Sequence, residues 1–319
     1  MITLSPRAEE LRPQLKAILF DMDGVLLDIT QSIRIANILA VPFYLRNRLG
    51  WPVGDDLITS EDIEKFKNAG GFNDDRDLTC AIVLHYIVRG HENPDASPET
   101  LSVLQPTLTR FAARIAQRGG GLKAAEEISL EHFTREDKFA IEIHYRKKEI
   151  AQAFLEIFAG EHSERLYGKP AVNYTGPGLI NNDKVIVDTT LIPPGYALGI
   201  VSGRSWEEAQ FGLELAGLTE AIPEAYRITQ KDGFYKPDMR GLRLLLERMG
   251  GVPAIYIGDT LDDHKTVARL LAKIPGAPVL SALVMSGPMG AANLGLFKRS
   301  GADIIAQDVN EILRWIAGA

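Results

Sequence analysis

The residues of this chain whose types and spacing can do chemistry are aspartates that close apolar runs. Ala17-Ile18-Leu19-Phe20 reads as a buried strand of a parallel sheet. Asp21-Met22-Asp23-Gly24-Val25 follows it directly. Two carboxylates therefore stand at the carboxyl end of a strand, the edge at which open α/β sheets bind ligands. Carboxylates this close ionise together at low cost only with a cation between them. Gly24 lets the chain leave the strand in a conformation that other residues resist. Alone, the stretch is equally well a strand and a turn, because Asp and Gly are common turn formers.

Three further signals follow in a fixed order. Ser202 comes straight after the apolar run Leu198–Val201 and is followed by Gly203. A hydroxyl there, joined by backbone N–H groups of a glycine turn and a helix start, suits a phosphoryl oxygen; its ordinary role would be a helix N-cap. Lys236-Pro237-Asp238 puts a cation at a helix start, against the helix dipole. A bound anion removes that objection, although an isolated lysine is usually surface charge. Ile255-Tyr256-Ile257-Gly258-Asp259-Thr260-Leu261-Asp262-Asp263 is a second apolar run ending in carboxylates. It supplies the partner that a hard, oxygen-ligated cation needs opposite Asp21.

The elements that must position these residues alternate. From Pro194 onward the pattern predicts strands at Ala197–Val201, Tyr226–Thr229, Ala254–Ile257, Val279–Met285 and Asp303–Ala306. Helices are expected at Ser205–Ala216, Pro237–Met249 and Asp262–Leu271. Strands alternating with helices imply a parallel sheet with right-handed crossovers, to which Ala17–Phe20 also belongs. Between them, from about Ile29 to Leu166, only helical patterns occur. Ile29–Leu49 is expected to kink or break at Pro42. Ser60-Glu61-Asp62 opens a short helix, and Gly70-Gly71 leads through Asn73-Asp74-Asp75-Arg76 into a buried helix, Leu78–Val88. Ser97-Pro98-Glu99 reads as another helix start. Leu104, Leu108, Phe111 and Ile115 share one face, and Gly119-Gly120-Gly121 ends that helix. Thr134 with Asp137 reads as a capping box for one long helix reaching about Phe158, striped by Phe139, Ile143, Ile150, Phe154 and Ile157. The Arg146-Lys147-Lys148 run falls on a solvated face of it.

The chain has 319 residues, 45% of them hydrophobic, enough for two domains. A net charge of −7 gives no reason to expect nucleic acid or an anionic membrane surface as a partner. One cysteine, Cys80, excludes an internal disulfide and suits a reducing compartment. The first residues lack the apolar stretch of a signal peptide, and no run is long enough to span a membrane. A cytoplasmic protein is expected.

As a set, Asp, Ser, Lys and Asp at the ends of successive strands resemble the haloacid dehalogenase superfamily of phosphohydrolases. Asp21-Met22-Asp23-Gly24-Val25 matches its first motif, Ser202 its second, Lys236 its third and Gly258-Asp259 with Asp263 its fourth. The insertion after the first motif looks like the helical type 1 cap of subfamily I, and Gly70–Thr79 is similar to one branch of that group. The expected fold is thus α/β, a doubly wound parallel Rossmann-like sheet with an inserted all-helical cap. Residues 1–28 and 188–319 form the core and 29–187 the cap, with an extra helical segment at about 92–165.

The resemblance implies Mg²⁺-dependent hydrolysis of a small phosphorylated metabolite. Asp21 would attack phosphorus, and Asp23 would protonate the leaving oxygen and then deprotonate water. Ser202, Gly203 and Lys236 would bind the phosphoryl group. Mg²⁺ would be held by Asp21, the backbone carbonyl of Asp23, Asp259 and, directly or through another ligand, Asp263; Asp262 is the weaker substitute. A halide needs neither a proton nor a charge-balancing cation, so an aspartate at position 23 favours phosphate. A phosphomutase would use the same motifs. A phosphonate-cleaving enzyme would need a cap lysine such as Lys65, Lys67 or Lys123, none of which is marked by its neighbours. Four intact motifs argue against a non-catalytic binding module. No histidine spacing suits a metal hydrolase, and His264 is read as packing or bonding a neighbour rather than binding metal. Two links join the insertion to the core, so a hinged cap that shields the intermediate is expected. Arg76 is its candidate for an anionic substrate group.

Overall fold

Short apolar runs assemble the sheet that carries the motif residues. The computed structural model describes residues 2–318 apart from residues 73, 98, 99, 102, 103 and 289. Asn73 of the polar turn, and Pro98 and Glu99 of the helix start at Ser97, lie outside the described residues. The strands are β1 (Thr3–Leu4), β2 (Ala17–Phe20), β3 (Leu27–Asp28), β4 (Lys184–Val185), β5 (Ala197–Val201), β6 (Arg227–Ile228), β7 (Ala254–Gly258), β8 (Val279–Val284) and β9 (Ile304–Ala306). Seven of them form one sheet in the order β1-β9-β8-β7-β2-β5-β6. All its neighbours pair in parallel except β1, which runs antiparallel to β9. β2, β7 and β8 are buried at every position, as expected where helices cover both faces of a parallel sheet. The chain is therefore α/β with a mostly parallel central sheet.

Register explains why the motifs meet. Phe20 at the end of β2 pairs with Ile200 on one side and Ile257 on the other. Continuing each strand by one or two residues brings Asp21, Ser202 and Asp259 to the same edge of the sheet, on three adjacent strands. On one face, Leu19, Tyr256 and Val201 pack with Leu242 and Leu245 of the helix Met239–Arg248 and with Val267 and Leu270 of the helix Leu261–Lys273.

The chain divides into two compact units, Met1–Ile29 with Asp183–Ala319, and Thr30–Asn182. The sequence reading put the return to the core near Asp188. The chain rejoins the first unit at Asp183, because Lys184 and Val185 pair with Asp28 and Leu27 as the small β3–β4 ribbon.

The second unit holds the helices Ile33–Leu49, Ser60–Ala69, Asp75–Glu92, Leu108–Gln117, Gly121–Leu130, Arg135–His144, Lys147–Ala159 and Ser163–Tyr167. Asp75–Glu92 runs through its centre, buried from Leu78 to Arg89. Two glycine turns dock here: Gly121 N–H donates to Gly70 O at 2.9 Å, and a Cβ on Gly120 would stand 2.4 Å from that oxygen.

Several helical expectations are corrected. The first helix begins at Ile33 and continues through Pro42 without a break. Thr59, not Ser60, caps the next one, in a box with Asp62. The long helix from Thr134 is two helices separated at Tyr145–Arg146. Tyr44 makes this possible: its hydroxyl donates to His144 O at 2.8 Å and accepts from Arg146 N–H at 3.3 Å, satisfying backbone groups that the break would strand. The stripe changes with it. Ile141, Ile150, Phe154 and Ile157 are buried, but Phe139 is 66% exposed and Ile143 44%. Lys147 of the basic run pairs with Glu126 at 3.0 Å. The capping box of Thr134 and Asp137 is present. No helix among the described residues is long and apolar enough to cross a membrane.

Candidate active site

Asp21 leaves β2 with its backbone N–H still donating to Ile257 O, so the sheet fixes its position. Its Oδ1 accepts from Met22 N–H at 2.8 Å, and its Oδ2 lies 2.5 Å from Lys236 Nζ. Lys236 reaches in from the loop between β6 and the helix Met239–Arg248, and its ammonium also meets Asp263 Oδ1 at 2.8 Å. Asp263 is the third residue of the helix Leu261–Lys273 and closes a capping box with Thr260. All of its acceptor positions are in use. Oδ1 also accepts from Tyr256 Oη at 2.8 Å, and Oδ2 accepts from the Thr260 hydroxyl and backbone N–H at 2.6 and 3.0 Å.

Asp259 follows β7 and is buried against two glycines. A methyl group on Gly24 would stand 2.3 Å from its Oδ2, and one on Gly287 1.9 Å. Gly24 also adopts φ +72°, a left-handed conformation that glycine takes without strain. Both positions keep room for the carboxylate.

Asp21, Asp259 and Asp263 each offer an oxygen within 4.8 Å of the others, all buried. Among the described residues, Lys236 is the ammonium of this cluster, and it pairs with Asp21 and Asp263. Burial pushes Asp21 up to about 7 against the pull of Lys236, with Asp263 and Asp23 adding to the rise. Burial, then Asp21 and Asp263, drives Asp259 well above the usual carboxylate range. Burial also opposes ionisation of Asp263, but Lys236 and its other hydrogen-bond donors hold it below that range. Lys236 is held firmly protonated: burial acts against its charge, and Asp21 and Asp263 outweigh it. A cluster with more buried carboxylates than cations, made only of hard oxygen donors, fits a divalent ion such as Mg²⁺. Asp21 and Asp259 are the two carboxylates whose oxygens are not all committed to capping and to Lys236.

Ser202 is buried directly after β5, and its Oγ accepts from Arg204 N–H at 3.2 Å. Gly203 is exposed, with open space where a side chain would stand. Asp23 is the more open aspartate of the first motif, its side chain 28% exposed. It pairs with Arg204, whose guanidinium also pairs with Asp183. The sequence reading singled out neither Arg204 nor Asp183. Arg204 carries the signal used for Lys236, a cation beside a helix start, whereas Asp183 carries none. Arg76 belongs to the other unit, where its guanidinium forks onto Asp74 at 2.6–3.0 Å. His264 hydrogen-bonds Ser281 at 3.0 Å, a bond to a neighbour.

A model of the haloacid dehalogenase-like hydrolase family matches residues 15–269. Among solved structures, the phosphatase Tt82 from Thermococcus thioreducens is similar at 23% identity and a TM-score of 0.62, over 95% of this chain and 99% of that one. An X-ray structure from a structural-genomics consortium is similar at 16% identity and a TM-score of 0.64, over 95% and 98% of the two chains. At these identities the likeness is one of fold. No curated protein matches the chain.

Proposed function

This chain belongs to the haloacid dehalogenase-like hydrolase family, and from that premise we propose that it is a Mg²⁺-dependent phosphohydrolase that releases phosphate from a small phosphorylated metabolite. The observation that carries the reading is Asp21 itself: a buried carboxylate held 2.5 Å from an ammonium, with a second buried carboxylate, Asp259, alongside. Such a group is fixed, largely dehydrated and next to positive charge, as a nucleophile toward a phosphate dianion must be.

Asp21 attacks phosphorus; the new bond joins its oxygen to phosphorus as the ester oxygen departs. Asp23 gives that oxygen a proton, then takes one from the water that breaks the aspartyl-phosphate and restores the free carboxylate. Lys236, the Ser202 hydroxyl and the Gly203 backbone N–H hold phosphoryl oxygens and offset developing charge. Asp263 holds Lys236 in place through its Oδ1. Asp21, Asp259 and the backbone carbonyl of Asp23 would hold Mg²⁺, which when bound offsets the charge that the carboxylates and the phosphoryl group bring together.

A screen of phosphorylated metabolites with Mg²⁺, reading phosphate release, identifies the substrate. On that substrate Asp21→Asn should abolish turnover with circular dichroism and thermal unfolding intact, since an amide cannot attack phosphorus. Asp23→Asn should lose about 10²–10⁴-fold. Normal phosphatase activity in Asp21→Asn, or activity that survives exhaustive chelation of divalent ions, would overturn the proposal.

A further inference from the structure

Arg204 is an arginine with almost no access to water: its side chain is 2% exposed, and the Asp183 side chain behind it 0%. Its Nε donates to Asp23 Oδ1 at 2.8 Å, and Nη2 lies 2.7 Å from the same oxygen and 2.7 Å from Asp183 Oδ2. Nη1 has no hydrogen-bond partner among the described residues and lies beside Gly212, where a Cβ would come within 3.4 Å of it. An arginine and an aspartate are thus buried in the sheet unit behind the half-buried Asp23. Buried ion clusters are poor stabilisers, because desolvation offsets most of their attraction. Stability is therefore a weak reason for this cluster, and its geometry offers a better one.

We infer that Arg204 and Asp183 are positioning residues for Asp23. The guanidinium engages only Oδ1 of Asp23, and both bonds converge on it. With Oδ1 occupied by the fork, Oδ2 is the oxygen of Asp23 assigned to proton exchange. Asp183 anchors Nη2, the same nitrogen that meets Asp23, and the planar fork holds both aspartates in one rigid geometry that a flexible ammonium does not impose. Arg204 also donates its backbone N–H to Ser202 Oγ. One residue thereby ties the second motif to the first. This inference rests on the proposed role of Asp23 as the proton donor to the leaving group.

The test compares two phosphate monoesters. A 4-nitrophenyl ester loses a leaving group that departs without a proton, whereas a simple alkyl ester needs one. The ratio kcat/KM reports the steps up to that departure, so the later attack of water does not enter. Asp23→Asn calibrates the assay and should lose far more on the alkyl ester than on the aryl ester. Arg204→Lys and Asp183→Asn should show the same asymmetry, losing about tenfold or more on the alkyl ester, within the 10²–10⁴-fold that acid–base help supplies. On the aryl ester they should stay within about threefold. Equal loss on both esters, or loss on neither, while Asp23→Asn keeps its asymmetry, would overturn the positioning role alone. An Asp23→Asn variant without asymmetry would overturn the role of Asp23 instead. Should Arg204→Lys fail to fold, the near-isosteric Asp183→Asn decides. If both unfold, the cluster is structural support and the inference falls.

Discussion

Burial acts on Asp21, at the end of β2, and on His85, in the middle of the helix Asp75–Glu92, in the same direction: toward the neutral form. The two units answer it differently. Around Asp21 the sheet unit gathers Lys236, further carboxylates and the donors of a helix cap, so charge is retained inside a network. Around His85 the helical unit gathers rings. Phe111 lies 5.1 Å away and Tyr86 5.5 Å, and Nε2 has no hydrogen-bond partner among the described residues. Burial, with Arg89 adding to it, holds His85 down to about 3. Cys80, on the same helix, is likewise kept neutral, its thiol pushed up to about 12 by burial. Networks of opposite charge cost desolvation and are kept where chemistry needs them; neutral buried groups belong to a core that only has to pack.

Glycines give the largest test of this contrast. Gly287→Ala places a methyl group on the Asp259 carboxylate, in a loop whose work is to leave room for it. A displacement of about 1 Å at a catalytic constellation costs roughly 10²-fold. Gly287→Ala should therefore lose about a hundredfold in kcat/KM and need more Mg²⁺ for half-maximal activity, with little change in thermal stability. Gly120→Ala, at the docked glycine turns of the helical unit, should do the reverse. It meets the Gly70 carbonyl and strains a left-handed φ of +84°, so it should destabilise by about 1–3 kcal/mol with turnover per folded molecule unchanged. Chemical denaturation beside steady-state kinetics separates the two. Equal effects of both substitutions on activity would dissolve the distinction.

A smaller effect concerns pH. His85 is held below its ordinary value in the folded state. Above about pH 6.5 it is neutral whether the chain is folded or not, and contributes no pH dependence. As pH falls from about 6.5 toward 3, the unfolded chain takes up a proton that the folded chain refuses. Stability then declines by up to about 1.4 kcal/mol per pH unit from this group. His85→Leu should flatten the decline over that window, read as the difference between denaturation curves of the two proteins at matched pH. Parallel curves for the two would mean that His85 is not the neutral core group described here.

Legibility in the sequence follows the same division. β2, β5 and β7 were readable because each is an apolar run cut off by a residue with chemistry, and parallel pairing then puts those residues on one edge. The helical unit was readable only as helices. Its break at Tyr145–Arg146 depends on the hydroxyl of Tyr44, which no local pattern connects to it. Phe139 and Ile143 fit the stripe of an uninterrupted helix and lost that role once the helix divided. Asp183 escaped notice for a related reason: an aspartate after Asn181 and Asn182 looks like loop polarity until the fold sets it behind Arg204.

The smallest expected effect lies with the other forked arginine. Arg204 is buried between two aspartates, whereas Arg76 forks onto Asp74 with its side chain 36% exposed. An ion pair that open is worth no more than about 1 kcal/mol, so a substrate anion can compete for the guanidinium. If Arg76 binds such an anion, Arg76→Ala should raise KM for the true substrate by up to about tenfold, equivalent to about 1.4 kcal/mol, and leave a small generic phosphate ester unaffected. Asp74→Asn sharpens the test. Asp74 also caps its helix by accepting from Arg76 N–H at 2.9 Å, and asparagine keeps that cap while removing the competing charge. KM for the true substrate should then fall in Asp74→Asn and rise in Arg76→Ala, opposite signs from two neighbouring residues. A purely structural fork would move both in the same direction, through stability, and would leave KM alone.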